Sequence, residues 1–136
     1  MPQTYRNRLS AGVIFCVLCT IALGAAMVAA AASTPVAAMK AYYEAAKAKD
    51  YAALKEVVSD EYLKELAKAP FPLERMLQPL TERVPPTAPS MRNEKISGDR
   101  ATLEVRNHET QQWETVRFVK QKGSWKLALH EMGSPR

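Results

Sequence analysis

The sequence predicts an α+β domain in which N-terminal helices pack on an antiparallel sheet of three to four strands, behind an apolar signal or anchor helix. Three observations carry this. Apolar residues recur every three or four positions between Val36 and Leu80, the period of an amphipathic helix. From Met91 onward they recur every second position, the period of a strand with one buried face. Ahead of both, no charge occurs between Arg8 and Lys40.

The N-terminal segment places Arg6 and Arg8 before an apolar and small-residue run from Ala11 to Ala32. A short basic region followed by such a run, ending in small residues, is the pattern of a secretory signal. Cleavage fits after Ala30, Ala31 or Ala32, with the position nearest Ala32 preferred. The 22 residues of the run also reach the roughly 20 needed to span a bilayer, so a retained membrane anchor is the second reading. Both place residues 33–136 as one domain outside the cytoplasm, because the basic end stays inside. Cys16 and Cys19 lie within the run, unaccompanied by a second Cys or His pair, so neither a disulfide nor zinc chemistry is expected of the domain. Phe15 and Leu18, large residues preceding the two cysteines, argue against lipidation, and Asn7 interrupts any twin-arginine pair.

Within the domain, Pro35 suits the first turn of a helix. Val36, Met39, Tyr43 and Ala46 form its buried stripe, while Lys40, Glu44 and Lys47 occupy the rest of the wheel. Asp50 is placed as the N-cap of a second helix with Tyr51, Leu54, Val57 and Val58 inward. Ser59 and Asp60 restart the pattern for Tyr62, Leu63 and Leu66. Pro70 and Pro72 stop it. Leu73, Met76, Leu77 and Leu80 predict a further turn or two, perturbed by Pro79, and the prolines at 85, 86 and 89 make a loop.

The sheet half begins with a short strand ending at Ile96, and Gly98-Asp99 turns the chain into Ala101, Leu103 and Val105, alternating with Thr102, Glu104 and Arg106. His108 to Gln111 is the next turn. Gln112 to Lys120 carries Val116 and Phe118 on one face, with Trp113, Thr115 and Arg117 on the other. After Lys122-Gly123, Trp125, Leu127 and Leu129 alternate with Lys126, Ala128 and His130.

Setting residues 1–32 aside removes two of the 19 basic residues and none of the 14 acidic ones, which lowers the net charge from +5 to +3. No run of Lys and Arg tracks a groove and the aromatics do not interleave with cations, so nucleic acid is not an expected partner. No phosphate-binding glycine loop, nucleophile elbow or metal-ligand spacing occurs, and no cofactor is expected.

The order of elements, together with Pro35 opening the first helix, Ala45-Ala46-Lys47-Ala48-Lys49-Asp50-Tyr51 at the first helix junction, Gly98-Asp99-Arg100-Ala101-Thr102 opening a strand and the hairpin Phe118 to Leu127, resembles the nuclear transport factor 2-like superfamily, and within it small exported bacterial domains. The resemblance covers about residues 34–130. It implies a cone-shaped fold with a curved sheet. It does not by itself imply an activity, since relatives include isomerases, dehydratases, ligand binders and interaction modules. In the enzymes among them a carboxylate or histidine projects into the cone.

Strand alternation tests for such a group. If Leu103, Val105, Val116, Phe118, Trp125, Leu127 and Leu129 face the helices, then Glu104, Arg106, His108, Arg117, Lys126 and His130 face away. Both histidines then belong to the surface, and the helix carboxylates alternate with lysines as solvated partners. A non-enzymatic binding or interaction domain is the expectation, and a cone-fold isomerase or dehydratase the alternative. Tyr43, Tyr62, Met76, Phe118 and Trp125 are the candidate lining of a pocket for a small apolar ligand, with core packing as their other reading. Arg106, Trp113, Arg117 and Lys126 are the candidate contact face for a second copy or an envelope protein. Membrane contact is expected only through residues 11–32, if they are retained.

Overall fold

The computed structural model describes residues 31–132, so the expected signal or anchor helix, apart from Ala31 and Ala32, lies outside the described residues. Helix α1 (Pro35–Lys47) starts where Thr34 accepts the Ala37 N–H on its hydroxyl at 3.0 Å, with Pro35 supplying a pre-set φ in the first turn. Lys49 then takes a φ of 53°, which turns the chain so that Asp50 can cap helix α2 (Tyr51–Val57), its Oδ1 accepting from Ala53 N at 3.0 Å. Ser59 caps α3 (Asp60–Leu66) in the same way. Helices α4 (Leu73–Leu77) and α5 (Pro79–Glu82) are separated at Pro79, as the missing proline N–H requires.

Strands β1 (Met91–Ser97), β2 (Arg100–Arg106), β3 (Trp113–Gln121) and β4 (Ser124–Leu127) form one antiparallel sheet in sequence order. Lys122 and Gly123, with φ of 50° and 79°, make the two-residue turn between β3 and β4, and the left-handed conformation at both central positions is that of a type I′ hairpin. Helix α1 lies on one face. Ala38 and Met39 pack there on Ala101, Leu103, Val105, Val116, Phe118, Trp125 and Leu127, which is the inward set that alternation identifies. A second cluster, Ala45, Ala46, Leu54 and Val57, joins α1 to α2, and the half-buried Tyr42 touches both.

The sequence expectation differs from the structure at the end of β4. The strand stops at Leu127 and residues Leu129–Glu131 form a short 3-10 helix instead of continuing the alternation. The cause lies far away in sequence: Val58 pairs with Leu127 as an isolated parallel bridge, and Ser59 N–H donates to Leu127 O at 2.9 Å. Ala128 then leaves the extended region, with φ −89° and ψ 65°. Leu129 still packs against the core, but His130 is no longer an outward strand residue.

Candidate functional site

No described helix packs over most of the opposite sheet face. Register groups its side chains in transverse rows: Arg106 beside Trp113; Arg92, Glu104 and Thr115; Lys95, Thr102 and Arg117. Trp113 is the only aromatic side chain in these rows, and the Arg92 guanidinium stacks over it at 4.0 Å from the ring centroid, with Arg106 at 5.9 Å. Arg92 Nε and Asn93 Nδ2 each donate to Glu104 Oε2 at 2.7 Å. Those bonds, the one from Arg92 first, hold the Glu104 carboxyl below the usual carboxylate range.

Arg92 was not among the residues expected here. Counting back from Ile96, strict alternation puts Arg92 on the helix-facing side. The register shifts between Arg92 and Lys95, where Asn93 takes a φ of 54°, and this bulge carries Arg92 to the outer face opposite Glu104. It also frees Glu94, whose Oε2 accepts from Val36 N at 3.1 Å in the first turn of α1, where the helix dipole favours an anion.

Of the four expected contact residues, Arg106 and Arg117 are exposed and Trp113 is half-buried, as a contact patch needs. Lys126 is a correction. It shares the outer face by register but is only 8% exposed, with Nζ 3.8 Å from Asp60 Oδ1. The first turn of α3 covers that corner: Asp60 N–H donates to Gln121 Oε1 at 3.0 Å, and Gln121 Nε2 donates to Glu61 Oε2 at 2.7 Å. A contact between α3 and the β3–β4 hairpin is invisible to a two-residue period.

The five expected pocket residues do not converge on one cavity. Phe118 and Trp125 fill the core beneath α1, and Tyr43 is buried with its hydroxyl donating to Pro85 O at 3.1 Å. Tyr62 on α3 and Met76 on α4 are half-buried. Core packing is therefore what the geometry gives Phe118, Trp125 and Tyr43. The space beside Tyr43 is about 80 Å³, bounded by Met39, Tyr42, Leu80 and Pro85, and a larger one of about 260 Å³ touches Trp125 near Ala32. Desolvation by burial, with a smaller contribution from Tyr62, pushes the Tyr42 phenol up to about 12.

His108 sits exposed in the β2–β3 turn, as expected. His130 does not: its Nδ1 lies 3.2 Å from Ser59 Oγ, and its Nε2 3.6 Å from Glu131 Oε1, while Glu131 pairs with Arg100. The order Ser, His, Glu has the composition of a hydrolytic triad. Here Ser59 has no exposed surface and its oxygen already accepts from Tyr62 N–H at 3.3 Å, so a substrate carbonyl cannot reach it. The arrangement latches the 3-10 helix to the start of α3. Ser59→Ala removes both the cap and the partner of His130, and should lower the unfolding free energy by about 1–2 kcal/mol. In urea the midpoint should fall with an unchanged slope; an unchanged midpoint would show that the latch carries no stability.

Among the described residues no group of three or more His, Cys, Asp or Glu is placed to hold a metal ion, and no helix is long and apolar enough to cross a membrane. Comparisons with known protein families, with characterised proteins and with solved structures found no match.

Proposed function

We propose that the chain is an extracytoplasmic, non-enzymatic binding domain of the nuclear transport factor 2-like cone fold, and that its open sheet face docks an acidic protein of the cell envelope. The observation that carries this is Trp113 flanked by Arg92 and Arg106 on a face that the described helices leave uncovered. Trp and Arg are the side chains that most often anchor interfaces, because each combines a large contact area with few rotatable bonds per contact made or with several donors. The cone-fold reading is supported by helices followed by a meander sheet, and the address by the uncharged run 11–32.

Charge selects the partner. Around Trp113 the exposed cations Arg92 and Arg106 outnumber Glu104. A two-fold dimer through the face would set cations against cations, which disfavours self-association there and favours an acidic surface. Against the alternative of a cone-fold isomerase or dehydratase, the sheet positions directly beneath α1 are apolar.

The processing site can be drawn more finely on this reading. Trp125 N–H donates to Ala32 O at 3.0 Å and Ala32 packs against the core, so cleavage after Ala30 would keep this contact while cleavage after Ala32 would remove it.

Photo-crosslinking tests the contact face: a crosslinking amino acid at position 113 in the full-length protein should trap one acidic envelope protein. Reversing charge with Arg106→Glu should weaken that complex at least about 10-fold, the loss of one charge-assisted contact. A product of twice the chain mass would instead mean self-association. A crosslink indifferent to the charge reversal, or none at all, would remove the proposal.

A further inference from the structure

The other end of the same face holds a second arrangement that the protein contact does not use. Lys95, Thr102 and Arg117 lie in register across β1, β2 and β3. Neighbouring strands are about 4.8 Å apart, so the outer two backbones stand about 10 Å apart with the threonine between them, and both long side chains can converge above its hydroxyl. These residues line an open cavity of about 490 Å³, together with Ser97 and Arg100 of the same face. That volume is within the range of small-molecule sites, about 300–1,000 Å³.

Ion pairing distinguishes the cations there. Arg92 is held by Glu104, and Arg100 by Glu131, whose carboxylate also borders the cavity. Among the described residues Lys95 and Arg117 have no acidic partner within ion-pair distance. Two free cations flanking a hydroxyl supply donors to several oxygens of one tetrahedral anion, and a guanidinium does so bidentately.

We infer that this cavity binds a phosphate monoester, its oxyanion held by Lys95, Thr102 and Arg117 and its organic group leaving through the open side of the cavity. The ester is a free metabolite or a lipid headgroup; the recognising chemistry is the same. The site is independent of any protein bound at Trp113.

Calorimetric titration of the full-length protein in nonionic detergent with phenyl phosphate tests it. Saturable one-to-one binding is expected, weakened at least about 10-fold, or about 1.4 kcal/mol, by Arg117→Ala and by Lys95→Ala. Lys64→Ala, which removes a cation from the surface of α3, should leave the affinity within about twofold, since screening mutes distant charges. Dihexanoyl phosphatidic acid as a second probe separates the two sources: tighter binding than phenyl phosphate assigns the site to a lipid headgroup, weaker binding to a free ester. Failure of both probes to bind a protein that circular dichroism shows to be folded would overturn the inference. So would binding that survives both the Arg117 and the Lys95 substitutions, whatever the outcome of the crosslinking at position 113.

Discussion

Phe118→Ala should cost the domain about 3–5 kcal/mol of unfolding free energy, the usual effect of emptying a large aromatic site in a close-packed core. Phe118 is 1% exposed, stands opposite Leu127 on β4 and Ala101 on β2, and belongs to the cluster under Ala38 and Met39 of α1. Small domains hold only about 5–15 kcal/mol in total, so this one substitution removes a large share. Equilibrium urea unfolding followed by far-ultraviolet circular dichroism measures it. A loss below about 1 kcal/mol would mean that α1 does not pack on β3 as described, because a solvent-exposed phenyl ring has no cavity to leave. The same experiment bears on the pocket reading, since a ring that lined a ligand cavity would leave less of a new void than one locked in the core.

Alkaline titration should produce the next largest effect. Burial raises the Tyr42 phenol from its ordinary 10.0 to about 12, so the folded protein holds that proton more tightly than the unfolded chain. The stability contributed by the neutral phenol is therefore fully present below about pH 10 and is lost as pH rises through about 12. A shift of that size corresponds to about 2–3 kcal/mol, an upper figure because Tyr42 keeps some contact with solvent. Burial also raises the Tyr62 phenol, in the same direction, so it adds to the alkaline loss. Melting temperatures measured from pH 8 to 12 should fall steeply over the upper part of the range, and Tyr42→Phe should flatten much of that fall. If the wild type and Tyr42→Phe lose stability in parallel, the phenol of Tyr42 is not buried between α1 and its neighbours.

Features set within a few residues could be read from the chain alone. Asp50 and Ser59 cap helices because a short polar side chain before an apolar stripe can satisfy the free N–H groups of a first turn. Lys122-Gly123 turns the chain because its left-handed geometry suits the twist of a hairpin. Alternation identified Leu103, Val105, Val116, Phe118, Trp125 and Leu127 as one buried face, since a single slip would have exposed them all.

What escaped that reading depends on segments distant in sequence meeting. Arg92 reaches Trp113 only because a bulge changes the face of one residue, and a bulge leaves no mark on the apolar period of a strand as polar as β1. Lys126 is withdrawn from the contact face by α3, 66 residues earlier in the chain at Asp60. His130 is turned off its strand by Ser59, 71 residues earlier in the chain. Helices, turns and the inner face of the sheet thus follow from local backbone preference and hydrophobic period. The composition of the outer face, with its free Lys95 and Arg117 and its clasped Trp113, follows from strand register and the docking of α3, which short-range chemistry does not specify.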